Sequence, residues 1–240
     1  MSHNPFLTAR WEHLAMLNYE IDPAILRPLV PPGTELDQWQ GKTFVSMVGF
    51  MFLDTKVLGI PIPFHRNFEE VNLRFYVRRK DGDEWKRGVV FVKEIVPKVA
   101  IAAVARGVYG EKYVAYRMNH TIEPNGDDLT VRYGWKRYGT WHELGVVTTG
   151  EPRFADPDAE ETFITEHYWG YASNRSGTAS VEYEVAHPQW RVWQVRDAHF
   201  HCDVARIYGP QFVDALNGAP SSAFLADGSP VTVFQGRKIV

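Results

Sequence analysis

The alternation of hydrophobic and polar residues along the chain predicts mainly β-strands. The clearest case is Glu70–Arg79, where apolar side chains alternate with polar ones. Asp-Gly after this segment and Asn-Gly at 125–126 indicate tight hairpin turns. Further runs rich in β-branched and aromatic residues predict strands at Met16–Glu20, Leu36–Trp39, Phe44–Asp54, Gly88–Ile95, Tyr113–Ile122, Leu129–Lys136, Thr140–Thr148, Ala179–Ala186, Arg191–Arg196 and Val231–Phe234.

Few segments are typical of helices. Pro23–Leu29 follows an aspartate that fits an N-cap, and its proline suits the first helical position. The clearest helix candidate is the alanine-rich segment Lys98–Tyr109, which a glycine follows. Val204–Leu216 is typical of a broken helix, and Glu160–Trp169 fits either a helix or a strand. Together these elements predict an α+β fold, a mostly antiparallel and partly closed β-barrel with few helices.

Composition and charge fit one globular domain over residues 1–240. Apolar residues make up 45% of the chain and charged residues 23%. The net charge of −3 and the scattered basic residues argue against nucleic-acid binding. The start does not resemble a signal peptide, and no apolar run approaches the ~20 residues that cross a bilayer, so we expect a cytoplasmic protein without membrane association. The lone Cys202 fits a reducing compartment. The oligomeric state stays open, a homo-oligomer included.

The aromatic content, 8 Trp, 11 Tyr and 14 Phe, has two interpretations. These side chains either fill a large β core or line a cavity, where Tyr and Trp offer apolar surface together with a hydrogen bond. We expect a single internal cavity for a small molecule. A filled interior without a cavity is the remaining alternative.

One strand carries a stripe of polar residues on a single face, namely Glu70, Asn72, Arg74 and Tyr76. If this face points inward, it places a carboxylate, an amide, a guanidinium and a phenol together. Because buried charges need partners, such a stripe would be a paired network or a binding site. If it points outward, it is a solvated surface, and alternation alone leaves both interpretations open.

A second group follows the alanine-rich segment and contains Arg106, Tyr109, Lys112 and Tyr113. A lysine that is desolvated beside another cation can act as a nucleophile. The alternative is a surface loop in which Lys112 lies in water. This segment therefore predicts either a reactive amine or an ordinary exposed lysine.

The third group is His199, His201 and Asp203, which alternate with other residues. Histidine and aspartate are metal ligands, but the H-E-x-x-H signature and paired C-x-x-C spacings are absent. G-x-G-x-x-G and Walker motifs are absent as well. We therefore expect a polar surface rather than a metal site, and no cofactor.

Several segments resemble a known family over nearly the whole chain. They are Ile21–Pro31, Leu36-Asp37, Gly41, Phe68–Val77, Ala105-Arg106 to Tyr109-Gly110, His187–Trp190, Ala219–Ser222 and Asp227–Ser229. As a set they resemble the YqjF-like family of uncharacterised conserved bacterial proteins. That family is similar in fold to acetoacetate decarboxylase, so the resemblance implies an acetoacetate-decarboxylase-like domain.

The resemblance also implies roles for individual residues. In the decarboxylase, a helix ends in an arginine, and the first lysine of a following Pro-Lys-Lys motif forms a Schiff base with the keto acid. Counted from Arg106, that motif falls on Lys112-Tyr113-Val114, so Tyr113 takes the place of the Schiff-base lysine. Lys112 stands one residue earlier, on the opposite face of a strand. Glu70 corresponds to the cavity glutamate, which implies that the polar stripe faces inward.

The residues and the resemblance together leave two classes of function open. The expected cavity would bind an anionic or carbonyl-bearing small molecule, because guanidinium groups pair with carboxylates. The first hypothesis is an enzyme, such as a lyase, that acts on a small keto acid or related carbonyl compound without metal. In it Tyr113 donates a hydrogen bond or proton and Glu70 acts as acid or base, with Lys112 serving in an imine variant. The second is a non-catalytic binding or sensing module, which needs no strongly shifted pKa in the cavity.

Overall fold

The structure is a computed structural model that describes residues 4–98, 112–174 and 177–239. These residues contain fifteen strands: β1 Pro5–Glu20, β2 Glu35–Leu36, β3 Phe44–Val57, β4 Ile60–Pro61, β5 Phe68–Asp81, β6 Glu84–Val96, β7 Tyr113–Ala115, β8 Arg117–Asn125, β9 Asp128–Arg137, β10 Thr140–Phe154, β11 Trp169–Ser173, β12 Ser180–Ala186, β13 Arg191–His201, β14 Ser222–Phe234 and β15 Arg237–Lys238. The helices are α1 Pro23–Leu26, α2 Glu160–Thr165, α3 Val204–Ile207 and α4 Val213–Leu216, with 3₁₀ turns at Arg27–Leu29 and Pro210–Phe212.

Most predicted elements are present, and several strands are longer than the sequence indicated. The strand predicted over Leu36–Trp39 is shorter, at Glu35–Leu36, and the one predicted over Tyr113–Ile122 divides into β7 and β8. Asp22 caps α1 as predicted, since its Oδ1 accepts a hydrogen bond from the Ala24 amide at 2.7 Å. The segment that fitted a helix or a strand divides into α2 and then β11. Of the helix predicted over Lys98–Tyr109, the structure describes only Lys98. The other residues of this prediction lie outside the described ranges. None of the helices in the described ranges is long and apolar enough to span a bilayer.

Seven strands pair in a ring. Their order is β12–β11–β6–β5–β3–β1–β14, and β14 pairs with β12 again. Two of these pairings are short: β11 runs parallel to β6 through Trp169 and Gly170, and β12 meets β14 through Val185 and Ala186. Every pairing in the ring except β11 with β6 is antiparallel. The predicted partly closed, mostly antiparallel barrel is therefore confirmed.

A second arm of the sheet, β13–β10–β9–β8, continues from β14 and covers the outside of the ring. Its apolar side chains pack against the outer face of β5, where Val71, Leu73 and Phe75 have no exposed surface. The arm lies so close that a Cβ added to Gly49 of β3 would sit 2.5 Å from the Tyr133 ring. Because the arm takes the outer face of β5, the opposite face of that strand lines the interior of the ring.

Candidate functional site

The interior of the ring holds a cavity of about 240 Å³. Its walls are mainly aromatic, with Phe6, Trp11, Phe50, Phe52, Phe68, Phe91, Trp169, Tyr183 and Trp190 among the lining residues. The rings brace one another, as where Phe52 stacks on Phe68 with centroids 4.7 Å apart. A cavity of this size contradicts the alternative interpretation, in which aromatic side chains fill the interior. A small group of polar residues shares the same space, and these decide its chemistry.

Three of these polar residues form a hydrogen-bonded cluster around one carboxyl group. Glu70 is 2% exposed on the inner face of β5. Its Oε2 accepts a hydrogen bond from the Tyr113 hydroxyl at 2.9 Å, and its Oε1 accepts one from Asn72 Nδ2 at 3.0 Å. Tyr113 reaches it because β7 pairs with β6, which in turn pairs with β5. The Asn72 Oδ1 atom has no hydrogen-bond partner among the described residues.

Burial dominates the ionisation of this cluster. It raises the pKa of Glu70 to about 7, against the opposing effects of the Asn72 and Tyr113 hydrogen bonds and the Arg74 charge. Burial and the nearby carboxylates of Glu70 and Glu94 raise the pKa of Tyr113 well above its ordinary value. Tyr113 therefore stays protonated as a donor, while Glu70 can hold or release a proton near neutral pH.

Arg74 brings a buried positive charge to the cavity. The residue is 9% exposed, and no carboxylate in the described ranges lies within ion-pair distance of its guanidinium group. Its Nη2 makes only long contacts, 3.4 Å to the Ile164 carbonyl oxygen and 3.9 Å to Met16 Sδ, and its Nε has no partner among the described residues. Because a buried charge is costly without a counter-ion, this geometry favours an anionic group in the cavity.

Tyr76 belongs to the predicted stripe and is buried, but it is not among the cavity-lining residues that the structure describes. Its hydroxyl lies 2.6 Å from Ser46 Oγ, which donates to Asn18 Oδ1. Its ring instead lies against two polar residues, 5.7 Å from the Arg74 guanidinium carbon and 4.7 Å from the ring of His167. Tyr76 therefore positions side chains of the site without presenting its hydroxyl there.

The second predicted group is divided by the strand register. Lys112 is exposed, and its carbonyl oxygen accepts a hydrogen bond from the Glu94 amide at 3.3 Å. Tyr113 lines the cavity. Neighbouring residues in an extended strand point to opposite sides, which explains why only the tyrosine faces inward. Arg106 and Tyr109 lie outside the described residues.

Sequence reasoning missed a second polar group in the cavity wall. His167 lines the cavity, and its Nε2 lies 3.1 Å from Asp37 Oδ2. The same carboxylate oxygen accepts a hydrogen bond from Arg87 Nε at 2.7 Å. Asp37 lies in a segment that carries the family resemblance, but no pattern marked His167, which is 130 positions away.

The third predicted group makes local contacts. His199 Nε2 lies 2.7 Å from Glu143 Oε1 on the neighbouring strand. Asp203 caps α3, since its Oδ1 accepts a hydrogen bond from the Arg206 amide at 3.2 Å. Within the described ranges, no cluster of three or more His, Cys, Asp or Glu residues is arranged to hold a metal ion.

Comparison with known sequences supports the family resemblance. A family model with the description "uncharacterized conserved protein", DUF2071, matches residues 8–230. The chain is also 29% identical over 184 residues to the uncharacterized protein YqjF of Bacillus subtilis (strain 168). That match covers 75% of this chain and 72% of YqjF.

Solved structures show the same fold at low sequence identity. Acetoacetate decarboxylase from Legionella pneumophila matches with a TM-score of 0.67 and 13% identity, over 98% of this chain and 87% of that chain. The enduracididine biosynthesis enzyme MppR, complexed with pyruvate, matches with a TM-score of 0.69 and 14% identity, over 99% and 91%. An acetoacetate decarboxylase-like enzyme from Sphingomonas wittichii RW1 matches with a TM-score of 0.65 and 14% identity, over 97% and 92%. The fold is therefore that of acetoacetate decarboxylase.

Proposed function

The chain belongs to the DUF2071 family, and we propose that it is an enzyme that binds a small keto acid and moves a proton next to the keto group. Arg74 binds the carboxylate of this substrate. Glu70 exchanges the proton, and Tyr113 donates a hydrogen bond to the keto oxygen. The observation that carries the proposal is the Glu70–Tyr113 hydrogen bond in an internal cavity, beside a buried arginine without a carboxylate partner in the described ranges.

The substrate class follows from the charges of the cavity. A carboxylate would give the Arg74 guanidinium the bidentate partner that such groups prefer. The surrounding aromatic walls suit a short carbon chain, and about 240 Å³ limits the ligand to a small molecule. The pyruvate complex of the fold neighbour MppR is consistent with this class.

The proposed step is enolisation. The ionised Glu70 carboxylate takes a proton from the carbon next to the keto group, and the C–H electron pair forms the carbon–carbon double bond. The carbonyl electrons move onto the keto oxygen, which the Tyr113 hydroxyl stabilises by a hydrogen bond that replaces its bond to Glu70. Return of the proton from Glu70 to the same carbon regenerates the keto acid. A pKa of about 7 lets one carboxyl group take and return the proton near neutral pH.

The position of Lys112 argues against an imine mechanism through that residue. Its side chain is exposed, and Tyr113 occupies the inward position. None of the cavity-lining residues that the structure describes is a lysine. The proposed chemistry therefore differs from the Schiff-base decarboxylation that the fold resemblance implies.

A non-catalytic binding module is the second candidate. The tyrosine that the resemblance places where the decarboxylase has its Schiff-base lysine favours it, because binding requires charge complementarity but no nucleophile. The shifted pKa of Glu70 favours the enzyme, because a binding site needs no carboxyl group that titrates near neutral pH.

Solvent exchange separates the two candidates. Pyruvate and 2-oxobutanoate are incubated with the protein in D₂O, and loss of the C3 proton signals is followed by NMR. We expect exchange in the wild type, with a rate that rises with pH through about 7 as Glu70 ionises. Glu70→Gln should slow it by about 10²- to 10⁴-fold, the usual range for loss of a general base. Tyr113→Phe should slow it as well.

The matched control is Lys112→Ala, which should keep the wild-type exchange rate because Lys112 lies outside the cavity. Borohydride treatment with pyruvate should give no adduct on Lys112 by peptide mapping. Exchange at the wild-type rate in Glu70→Gln would overturn the assigned role of Glu70. Saturable binding of the keto acids without any exchange would establish the binding module instead.

A further inference from the structure

The cavity wall contains a histidine whose role the proposed proton transfer does not use. His167 lines the cavity together with Glu70 and Arg74. We propose that its Nδ1 atom accepts a hydrogen bond from the ligand, so that the substrate is a keto acid bearing a hydroxyl or N–H group close to its carboxylate. This inference rests on the proposed function, because it assumes that Arg74 holds the carboxylate.

Asp37 anchors the histidine from behind. The Asp37 backbone amide donates to the Tyr76 carbonyl oxygen at 3.0 Å, and its Oδ1 accepts from the Gln38 amide at 3.0 Å. Its Oδ2 faces both Arg87 and His167. Burial alone would raise the pKa of Asp37, but the hydrogen bonds and charges of His167 and Arg87 lower it to about 2. The carboxylate is therefore ionised at neutral pH and can only accept hydrogen bonds.

An ionised partner decides the tautomer of the histidine. The Nε2 atom of His167 must carry the proton, because it faces the Asp37 carboxylate at 3.1 Å. Burial and the nearby charge of Arg87, opposed by Asp37, lower the pKa of His167 to about 4, so the ring is neutral at pH 7. The remaining nitrogen, Nδ1, is then an unprotonated acceptor. It is buried and has no hydrogen-bond partner among the described residues.

Packing holds the ring in this orientation. The His167 ring lies 4.7 Å from the Tyr76 ring and 5.0 Å from the Phe163 ring, the latter nearly perpendicular at 82°. A fixed acceptor that stays unpaired costs free energy, whereas a ligand donor would satisfy it. The group Asp37, Arg87 and His167 therefore has the properties of a preorganised contact for an O–H or N–H donor.

The position of His167 relative to Arg74 limits where that donor lies on the ligand. Both side chains lie against the Tyr76 ring, and the Arg74 guanidinium contacts the carbonyl oxygen of Ile164, three residues before His167. A ligand whose carboxylate is on Arg74 would thus meet His167 within a few atoms. Pyruvate has no donor to offer, whereas 3-hydroxypyruvate and 4-hydroxy-2-oxobutanoate do.

Calorimetric titration with matched pairs of acids tests this inference. The pairs are pyruvate with 3-hydroxypyruvate, and 2-oxobutanoate with 4-hydroxy-2-oxobutanoate. In the wild type we expect the hydroxylated member of at least one pair to bind tenfold or more tightly than its parent. His167→Phe keeps an aromatic ring between its neighbours and removes the acceptor. It should abolish this preference, so that the two members of each pair bind with Kd values within threefold of one another.

A second measurement does not depend on how well the variant folds. Long-range ¹H–¹⁵N correlation spectra of histidine-labelled wild-type protein at pH 7 should show His167 protonated at Nε2 and unprotonated at Nδ1. The Nδ1 resonance should shift on addition of the preferred hydroxylated acid and stay in place on addition of its parent. A proton on Nδ1 in the free protein would overturn the inference.

The outcomes distinguish the two proposals. Parent acids that bind through Arg74, as shown by loss of binding in Arg74→Met, with no preference in either pair would overturn only the role of His167. A preference that persists in His167→Phe would do the same. If none of the four acids binds the wild type, the keto-acid class proposed for the cavity is wrong, and the inference about His167 falls with it.

Discussion

Replacement of Glu70 by glutamine should stabilise the protein at alkaline pH, although it removes a residue of the proposed site. Glu70 is 2% exposed, and burial raises its pKa from 4.5 to about 7. The folded chain therefore binds this proton more tightly than the unfolded chain. The stability associated with it is fully present below pH 4.5 and is lost as the pH rises through about 7. Glutamine resembles the protonated acid at every pH and does not incur this loss.

The magnitude follows from the two pKa values. A shift from 4.5 to about 7, at about 1.4 kcal/mol for each pKa unit, corresponds to about 3 kcal/mol of lost stability in the wild type above neutral pH. This is an upper limit, because glutamine keeps only one acceptor oxygen for the two donors, Asn72 and Tyr113. We expect the stability of Glu70→Gln relative to wild type to rise by about 1–3 kcal/mol between pH 5 and pH 8.

The assay is urea unfolding of both proteins from pH 5 to pH 8.5, followed by tryptophan fluorescence. The control is Glu84→Gln, which alters an exposed carboxylate on the neighbouring strand β6 and should change stability by less than about 0.5 kcal/mol at each pH. A difference between Glu70→Gln and wild type that stays constant over this pH range would refute the reasoning, because a buried carboxyl group with a raised pKa must make the difference depend on pH.

Two further predictions concern the ring and its stability. Gly88→Ala should cost about 1–3 kcal/mol in urea unfolding, because the added Cβ would lie 2.5 Å from a backbone oxygen at the short β6–β11 pairing; Gly218→Ala, whose nearest contact is 3.5 Å, should change stability by less than about 1 kcal/mol. Glu182→Gln should cost about 2–4 kcal/mol, since its buried carboxylate pairs with Arg79, Lys86 and Arg237. Glu35→Gln, which removes the exposed ion pair with Arg78, should cost less than about 1 kcal/mol. Equal losses in Glu182→Gln and Glu35→Gln would contradict the expectation that the buried carboxylate contributes more than the exposed one.

Much of the architecture could be read from local patterns. The alternation in β5, the two hairpin turns and the cap of α1 depend on neighbouring residues, so the sequence predicted them directly. Strand ends were less predictable: β1 begins at Pro5 rather than near Met16, and β14 begins at Ser222 rather than Val231. Pairing with neighbouring strands extends these segments beyond the part whose composition marks a strand.

The candidate site, like the fold, was predictable from the sequence only in part. Sequence alternation determined that Glu70, Asn72 and Arg74 share a face, and that Lys112 and Tyr113 face opposite ways. It could not determine which face turns inward, because the covering arm of the sheet buries the other side of β5 as well. Only the tertiary structure brought Asp37 next to His167 and left Arg74 without a carboxylate partner in the described ranges. Such contacts join residues far apart in the chain, such as Asp37 and His167, which are 130 positions apart. Their distance depends on the packing of the whole fold and not on any local pattern.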